Sequence, residues 1–232
     1  MKKGLQVSEY GRRIWLIFRK DLRVELLTSH NFISTAVFGI MLVVIFSFAF
    51  QLTDFPVDKA FGAVIWVSVF FTSTLSLQRL FGVEEENDAL SALLLAVGDR
   101  GSIFLAKMLA NLTVLLLLEM IILPPAWILI NARINPNRIG FLIAALFLGS
   151  WGLAAVGTVV NALAVQVPNT RLLFPILLFP LLLPILIGGV LCVSAALDSS
   201  ADLIPGWLYL MLCFDLIYTV VPFVLFDWIL EG

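Results

Sequence analysis

Histidine occurs once and cysteine twice in these 232 residues, and only 13% of the chain is charged. Each scarcity removes a class of function. With His30 as the only imidazole there is no Ser/His/Asp constellation, and HExxH and GxSxG are absent too. No GxxxxGK followed by Ser or Thr occurs, so this chain is not expected to hydrolyse ATP, nor to be an enzyme of any other kind. Cys192 and Cys213 sit in apolar runs with no CxxC or Cys/His cluster around them, which leaves no metal or redox motif and predicts two buried, inert thiols. His30 stands at the mouth of the first long apolar run. A lone imidazole there reads as a polar residue at a membrane edge sooner than as a haem ligand. No metal is expected, and no nucleic-acid partner.

Hydrophobic residues make up 61% of the chain, and the mean hydropathy is +1.07. That is the composition of an integral membrane protein. A helix needs about 20 mostly apolar residues to cross the hydrocarbon. Six stretches qualify: 32–52, 60–78, 103–130, 139–166, 172–196 and 203–227. The first begins only near Phe32 and no small-residue cleavage site follows it, so a cleavable signal peptide is not expected. The connections are short, and the whole of 1–232 reads as a single transmembrane domain, all-α and polytopic. Cytoplasmic loops retain an excess of Lys and Arg. With the N-terminus inside, seven basic residues before residue 24, Arg79, Arg100 and Lys107 in the second loop and Arg171 in the fourth fall on the cytoplasmic side, eleven of the fourteen. Both termini are therefore expected in the cytoplasm.

Residues 8–28 are too charged to cross. On a helical wheel Ile14, Trp15, Phe18, Leu22 and Leu26 gather on one side and Arg12, Arg13, Arg19, Lys20 and Arg23 on the other, which predicts a helix lying in the membrane interface. Arg12, Arg19 and Arg23 are its candidate contacts with lipid. It serves as a plain anchor, or passes motion from a partner to the spans; the residues fit both.

Three polar residues fall well inside predicted spans: Glu119 in the third, Asn161 towards the inner end of the fourth, and Asp215 in the sixth. A carboxylate at the bilayer centre costs about 2.5–3.5 kcal/mol on insertion scales, so it should face protein, water or a cavity. They are pathway candidates, or polar groups that pack helices together. The fourth span has Ala145 and Gly149 in small-xxx-small spacing and a second row of Ser150, Ala154 and Thr158, a face for close helix approach within one bundle or at a dimer seam. Pro124 and Pro125 in the third span, and Pro175, Pro180 and Pro184 in the fifth, predict kinked or broken helices.

Between the second and third spans five of the sixteen acids, Glu84, Glu85, Glu86, Asp88 and Asp99, stand together. From Glu84 to Val97 the pattern is a short helix: acids in its first turn, Leu90, Leu93, Leu94 and Val97 in one stripe, Gly98 to end it. A solvated loop on the headgroups is the plain alternative, but an anionic leaflet would repel three consecutive glutamates. A basic protein surface suits them better.

The run QRLF at 78–81, the acids directly after it, the Leu-rich patch at 93–95, Arg100, and LAK at 105–107 resemble the permease subunit of the cytochrome c maturation exporter, the haem exporter protein B (CcmB) family. The amphipathic start with RKDLRVE, six spans and a Pro-rich fifth span extend the resemblance over nearly the whole chain. The wider group of ABC-2 type permeases shares the pattern, from which this sequence departs with Asp88 at a glycine, Ser91 at a glutamate and Val97 at a proline.

The resemblance implies a homodimeric permease in the bacterial inner membrane, paired on its cytoplasmic face with two copies of a separate ATP-binding subunit that holds ATP and magnesium. It also implies a haem-handling membrane partner and a periplasmic haem chaperone, with ATP hydrolysis linked to haem export or to release of the loaded chaperone. No cofactor would be bound by this chain itself. Residues 82–101 then read as the coupling helix, with Glu84, Glu85, Glu86, Asp88, Leu90, Leu93, Leu94 and Arg100 docking the ATPase. Two rivals remain: an ABC-2 permease exporting a drug, lipid or polysaccharide, and a non-transporting scaffold for maturation proteins.

Overall fold

The computed structural model describes residues 2–27, 29–52, 57–77, 100–133, 135–165, 173–197 and 204–229. These form seven α-helices: α1 (Lys2–Leu27), α2 (Ser29–Gln51), α3 (Val57–Leu77), α4 (Arg100–Ile130), α5 (Ile139–Val165), α6 (Leu173–Leu197) and α7 (Ile204–Ile229). All but α1 are long and apolar enough to cross a membrane. In hydrocarbon a backbone must satisfy its own polar groups, and a helix does so within one segment. The prolines do not break this. Pro124 and Pro125 lie inside α4 and Pro180 and Pro184 inside α6, so of the expected kink or break neither helix shows the break. Each proline removes one backbone donor, a loss a long packed helix absorbs.

Between α4 and α5 the chain turns by local chemistry. Asn131 takes a left-handed φ of 53° just past the end of α4, where a helix stop calls for it. Asn135 then accepts a 3.0 Å hydrogen bond from the Asn137 N–H, and Pro136 opens a short 3-10 turn, Pro136–Arg138, leading into α5.

Interhelical contacts sort the helix ends into two faces. On one, Asn161 of α5 donates to the Leu77 carbonyl at the end of α3, Phe104 of α4 packs on Phe226 of α7 with ring centroids 5.2 Å apart, and Lys107 of α4 meets Asp21 of α1. On the other, Gln51 of α2 donates to the Leu129 carbonyl of α4, and Arg138 donates at 3.0 Å to the Ala195 carbonyl near the end of α6. Helices α2, α4 and α6 therefore run one way, and α3, α5 and α7 the other. The end of α3 and the start of α4 lie on the face that carries α1.

Helix α5 packs against α3, α4, α6 and α7. Its small residues seat large side chains of the same chain. A Cβ at Gly149 would fall 1.7 Å from the buried Trp66 ring of α3, one at Gly157 2.4 Å from Leu77, and one at Gly152 1.7 Å from Ile185 of α6. The Gly149 face thus packs within one bundle. Helix α7 is the outermost, with Tyr209, Ile217, Val220 and Val224 turned outward. Cys192 is buried as expected, whereas Cys213 lies on that outward side of α7 and is exposed.

Helix α1 is longer than the expected 8–28 and turned differently. Trp15 and Leu16 are exposed at 58% and 54%, while Ile17 is 7% exposed. Ile14, Ile17 and Asp21 face the bundle, and α1 packs along α4. Part of its apolar surface therefore serves the protein interior.

Gly149→Ala is expected to cost about 1–3 kcal/mol, because the added methyl group overlaps a fully packed indole. Thermal unfolding of the detergent-solubilised protein should show a lowered midpoint. Gly140→Ala, where nothing lies within 4 Å, should leave it unchanged or raise it; equal midpoints for the two variants would contradict the packing described.

Candidate functional site

Buried polar side chains link α5 to α3 and α4. Ser150 donates a 2.6 Å hydrogen bond to Glu119 Oε1 of α4, eight residues on Asn111 of α4 donates at 3.0 Å to Thr158 Oγ1, and Asn161 reaches the Leu77 carbonyl. Ser150, Ala154 and Thr158 recur every four residues and so share one side of α5. Thr158 closes its own valence on the Ala154 carbonyl at 2.7 Å. Two of the three predicted intramembrane residues, Glu119 and Asn161, thus act as interhelical hydrogen-bond partners.

Asp215 is different. It is 0% exposed, and neither carboxyl oxygen has a hydrogen-bond partner among the described residues. Its Oδ1 lies 2.6 Å from where a Cβ at Gly152 would be, so the glycine makes room for it against α5. A buried polar group without a partner calls for an explanation, and at membrane depth it is the strongest pathway candidate of the three. The three do not form one site. Ser150 and Gly152 are two residues apart, about 200° around the axis, so Glu119 and Asp215 approach α5 from opposite sides. Asn161 lies about 16 Å further along.

Glu119 also lines a crevice with Thr72 and Ser73 of α3 that has no room for a water molecule. Ser68, Thr72 and Ser76 sit four residues apart on α3 and are all buried, at 0%, 1% and 5% exposure. The sequence reading passed over this hydroxyl-bearing helix side, since Ser and Thr carry little hydropathy signal; the spacing of four within SVFFTSTLS was the available cue.

A second missed feature is Lys107. Its side chain is 0% exposed, and its Nζ lies 3.4 Å from Asp21 Oδ2, whose side chain is 7% exposed. Lys20 closes on Asp21 Oδ1 at 2.8 Å from the solvent side. The cue was a single cation placed seven residues into an apolar helix.

Arg12, Arg19 and Arg23 of α1 are exposed, as an interfacial role requires. Glu84, Glu85, Glu86, Asp88, Leu90, Leu93 and Leu94 lie outside the described residues, as does the side chain of Arg100, whose backbone opens α4. His30 is exposed at the start of α2, 3.4 Å from Ser34 Oγ, and among the described residues no cluster of His, Cys, Asp or Glu could hold a metal ion.

Six membrane-length helices with polar contacts between them define a multi-pass membrane protein. The CcmB protein family matches residues 12–227, and the chain belongs to that family. It is similar to heme exporter protein B of Pseudomonas aeruginosa, 30% identical over 69% of this chain and 70% of the relative. The protein of the same name from Bradyrhizobium diazoefficiens is 26% identical over 78% and 81%, and that from Rhodobacter capsulatus 24% over 82% and 86%.

Glu119→Gln and Ser150→Ala should prove coupled in a double-mutant cycle read by unfolding of the membrane-embedded chain, by about 0.6 kcal/mol and at most about 1.7. Asp215→Asn removes no hydrogen bond and should leave stability unchanged or raised. Zero coupling in the first pair, or a large loss from the second, would refute these assignments.

Proposed function

We propose that this chain is the transmembrane permease subunit of an ABC transporter complex for cytochrome c biogenesis, exporting haem or releasing a haem-loaded chaperone. The observation that carries this is the family membership across 216 residues, 12–227, of a chain whose relatives are named heme exporter protein B. The lack of any phosphate loop supports a division of labour in which two copies of a separate ATP-binding subunit hydrolyse ATP-Mg. The partners are that ATPase, a second copy of the chain, a haem-handling membrane protein and a periplasmic haem chaperone. The site is the bacterial inner membrane.

The α1 face is then the cytoplasmic one, as its basic residues favour. Residues 78–99 emerge there, where an ATP-binding subunit has to touch. Glu84, Glu85, Glu86 and Asp88 steer a basic surface into register, and the Leu90, Leu93 and Leu94 stripe grips it. Closure of the ATPase pulls on the end of α3 and the start of α4, which residues 78–99 join. Glu119 and Asp215, on opposite sides of α5, are the groups whose surroundings change as the helices around α5 shift.

Rim charges mainly set association and its salt dependence, whereas truncated apolar anchors lose affinity directly. Replacing Glu84, Glu85 and Glu86 by Lys should weaken co-purification of the ATPase in a way that changes across a salt series. Leu93→Ser with Leu94→Ser should weaken it at every ionic strength. Both should abolish haem-stained c-type cytochromes at unchanged membrane abundance. Full ATPase recovery and normal maturation in both variants would remove the docking role from this segment.

A further inference from the structure

Lys107 has no exposed surface, yet it lies only two helical turns beyond Arg100, where α4 begins. A lysine there could have reached the interface along its own stem, as lysines near helix ends do. Instead its ammonium turns to Asp21 of α1, 3.4 Å away, in a pocket that Lys20 shuts from outside. The same face of α1 carries Ile14 and Ile17, so the inward residues 14, 17 and 21 recur at three and four. Apolar side chains alone would let α1 settle at more than one height along α4. A buried charge pair favours one register, because a shift of one turn carries Asp21, with its neighbour Lys20, out of reach of the Lys107 ammonium. The first turns of α4 are held on another side as well: Gly101 lies against Phe223 and Phe104 against Phe226 of α7.

We infer that Lys107 and Asp21 are a register lock that makes α1 and the first turns of α4 one rigid unit, so that a pull arriving through residues 78–99 moves α1 together with α4. Both are positioning residues. The lock itself is a property of this chain, while its consequence for cytochrome maturation rests on the function proposed above. Because a buried ion pair supplies specificity more than stability, replacing both partners by neutral residues of similar size keeps the fold and removes the register.

The test compares wild type, Asp21→Asn with Lys107→Met, and the reversed pair Asp21→Lys with Lys107→Asp. All are made in a Cys213→Ala background with spin labels at Arg12→Cys and Leu109→Cys, both exposed positions. The full-length protein is measured in lipid for the α1–α4 distance distribution, and in cells for c-type cytochromes and membrane abundance. Wild type should give one narrow distance. The neutral double variant should keep its abundance, broaden the distribution and lose maturation, and the reversed pair should restore both. A neutral variant whose distances stay narrow overturns the lock, as does a reversed pair that is inserted normally but stays broad; full maturation despite broadened distances overturns its role in carrying the pull to α1. If wild type yields the narrow distance but no ATPase co-purifies with it, the lock stands and the proposed function falls.

Discussion

Around this bundle there is hydrocarbon and not water, so a polar side chain inside it must find its partner within the protein, a hydroxyl on its own helix and a longer side chain on another. That constraint places the hydrogen bonds of Glu119, Asn111 and Asn161 on α5 or at its flank. It also explains the company they keep. Ser150 and Thr158 alternate along α5 with glycines that bring Trp66, Ile185 and Leu77 into contact with its backbone. Close approach supplies dispersion and short polar contacts together, the two forces left when the hydrophobic effect no longer drives helix to helix. Asp215, beside Gly152, departs from the rule with both carboxyl oxygens, and Ser47, Trp66, Ser68 and Thr72 each depart from it with one polar atom among the described residues.

The spans were legible because each is a long apolar run, and their observed ends fall within a few residues of the expected ones. Glu119 and Asn161 stood out as polar residues in such runs, but nothing in the sequence tells which helix supplies Ser150 or the Leu77 carbonyl. Pro180 and Pro184 mark lost donors, while continuity of the helix is decided by the packing around it. The wheel of α1 separated its apolar and basic residues but left Asp21 unassigned, and a buried acid is recognisable only once Lys107 is beside it. Asp88, Ser91 and Val97, the departures from the family pattern, fall in residues 78–99, outside the described structure.

On the proposed reading the two faces of the bundle divide the work. One gathers α1, the ends of α3, α5 and α7, the start of α4 and the acidic segment; the other is tied by Gln51 to Leu129 and Arg138 to Ala195. Force enters on the first face through the two helices that flank residues 78–99. The hydrogen bonds from α4 and α3 to α5 are the first interior contacts that such a force would load, and the outermost helix, α7, meets α5 at Asp215 and through the 2.9 Å bond from Trp151 to Thr219.

The central claim is that this chain is the driven half of an ATP-powered pair. The most direct measurement is the ATP hydrolysis rate of the co-purifying ATP-binding subunit, alone and after reconstitution with this chain in lipid bilayers. The account predicts a rate that changes severalfold on adding the chain and reverts when Glu84, Glu85 and Glu86 are replaced by Lys. An identical rate with and without the chain, under conditions where the two bind, would contradict it.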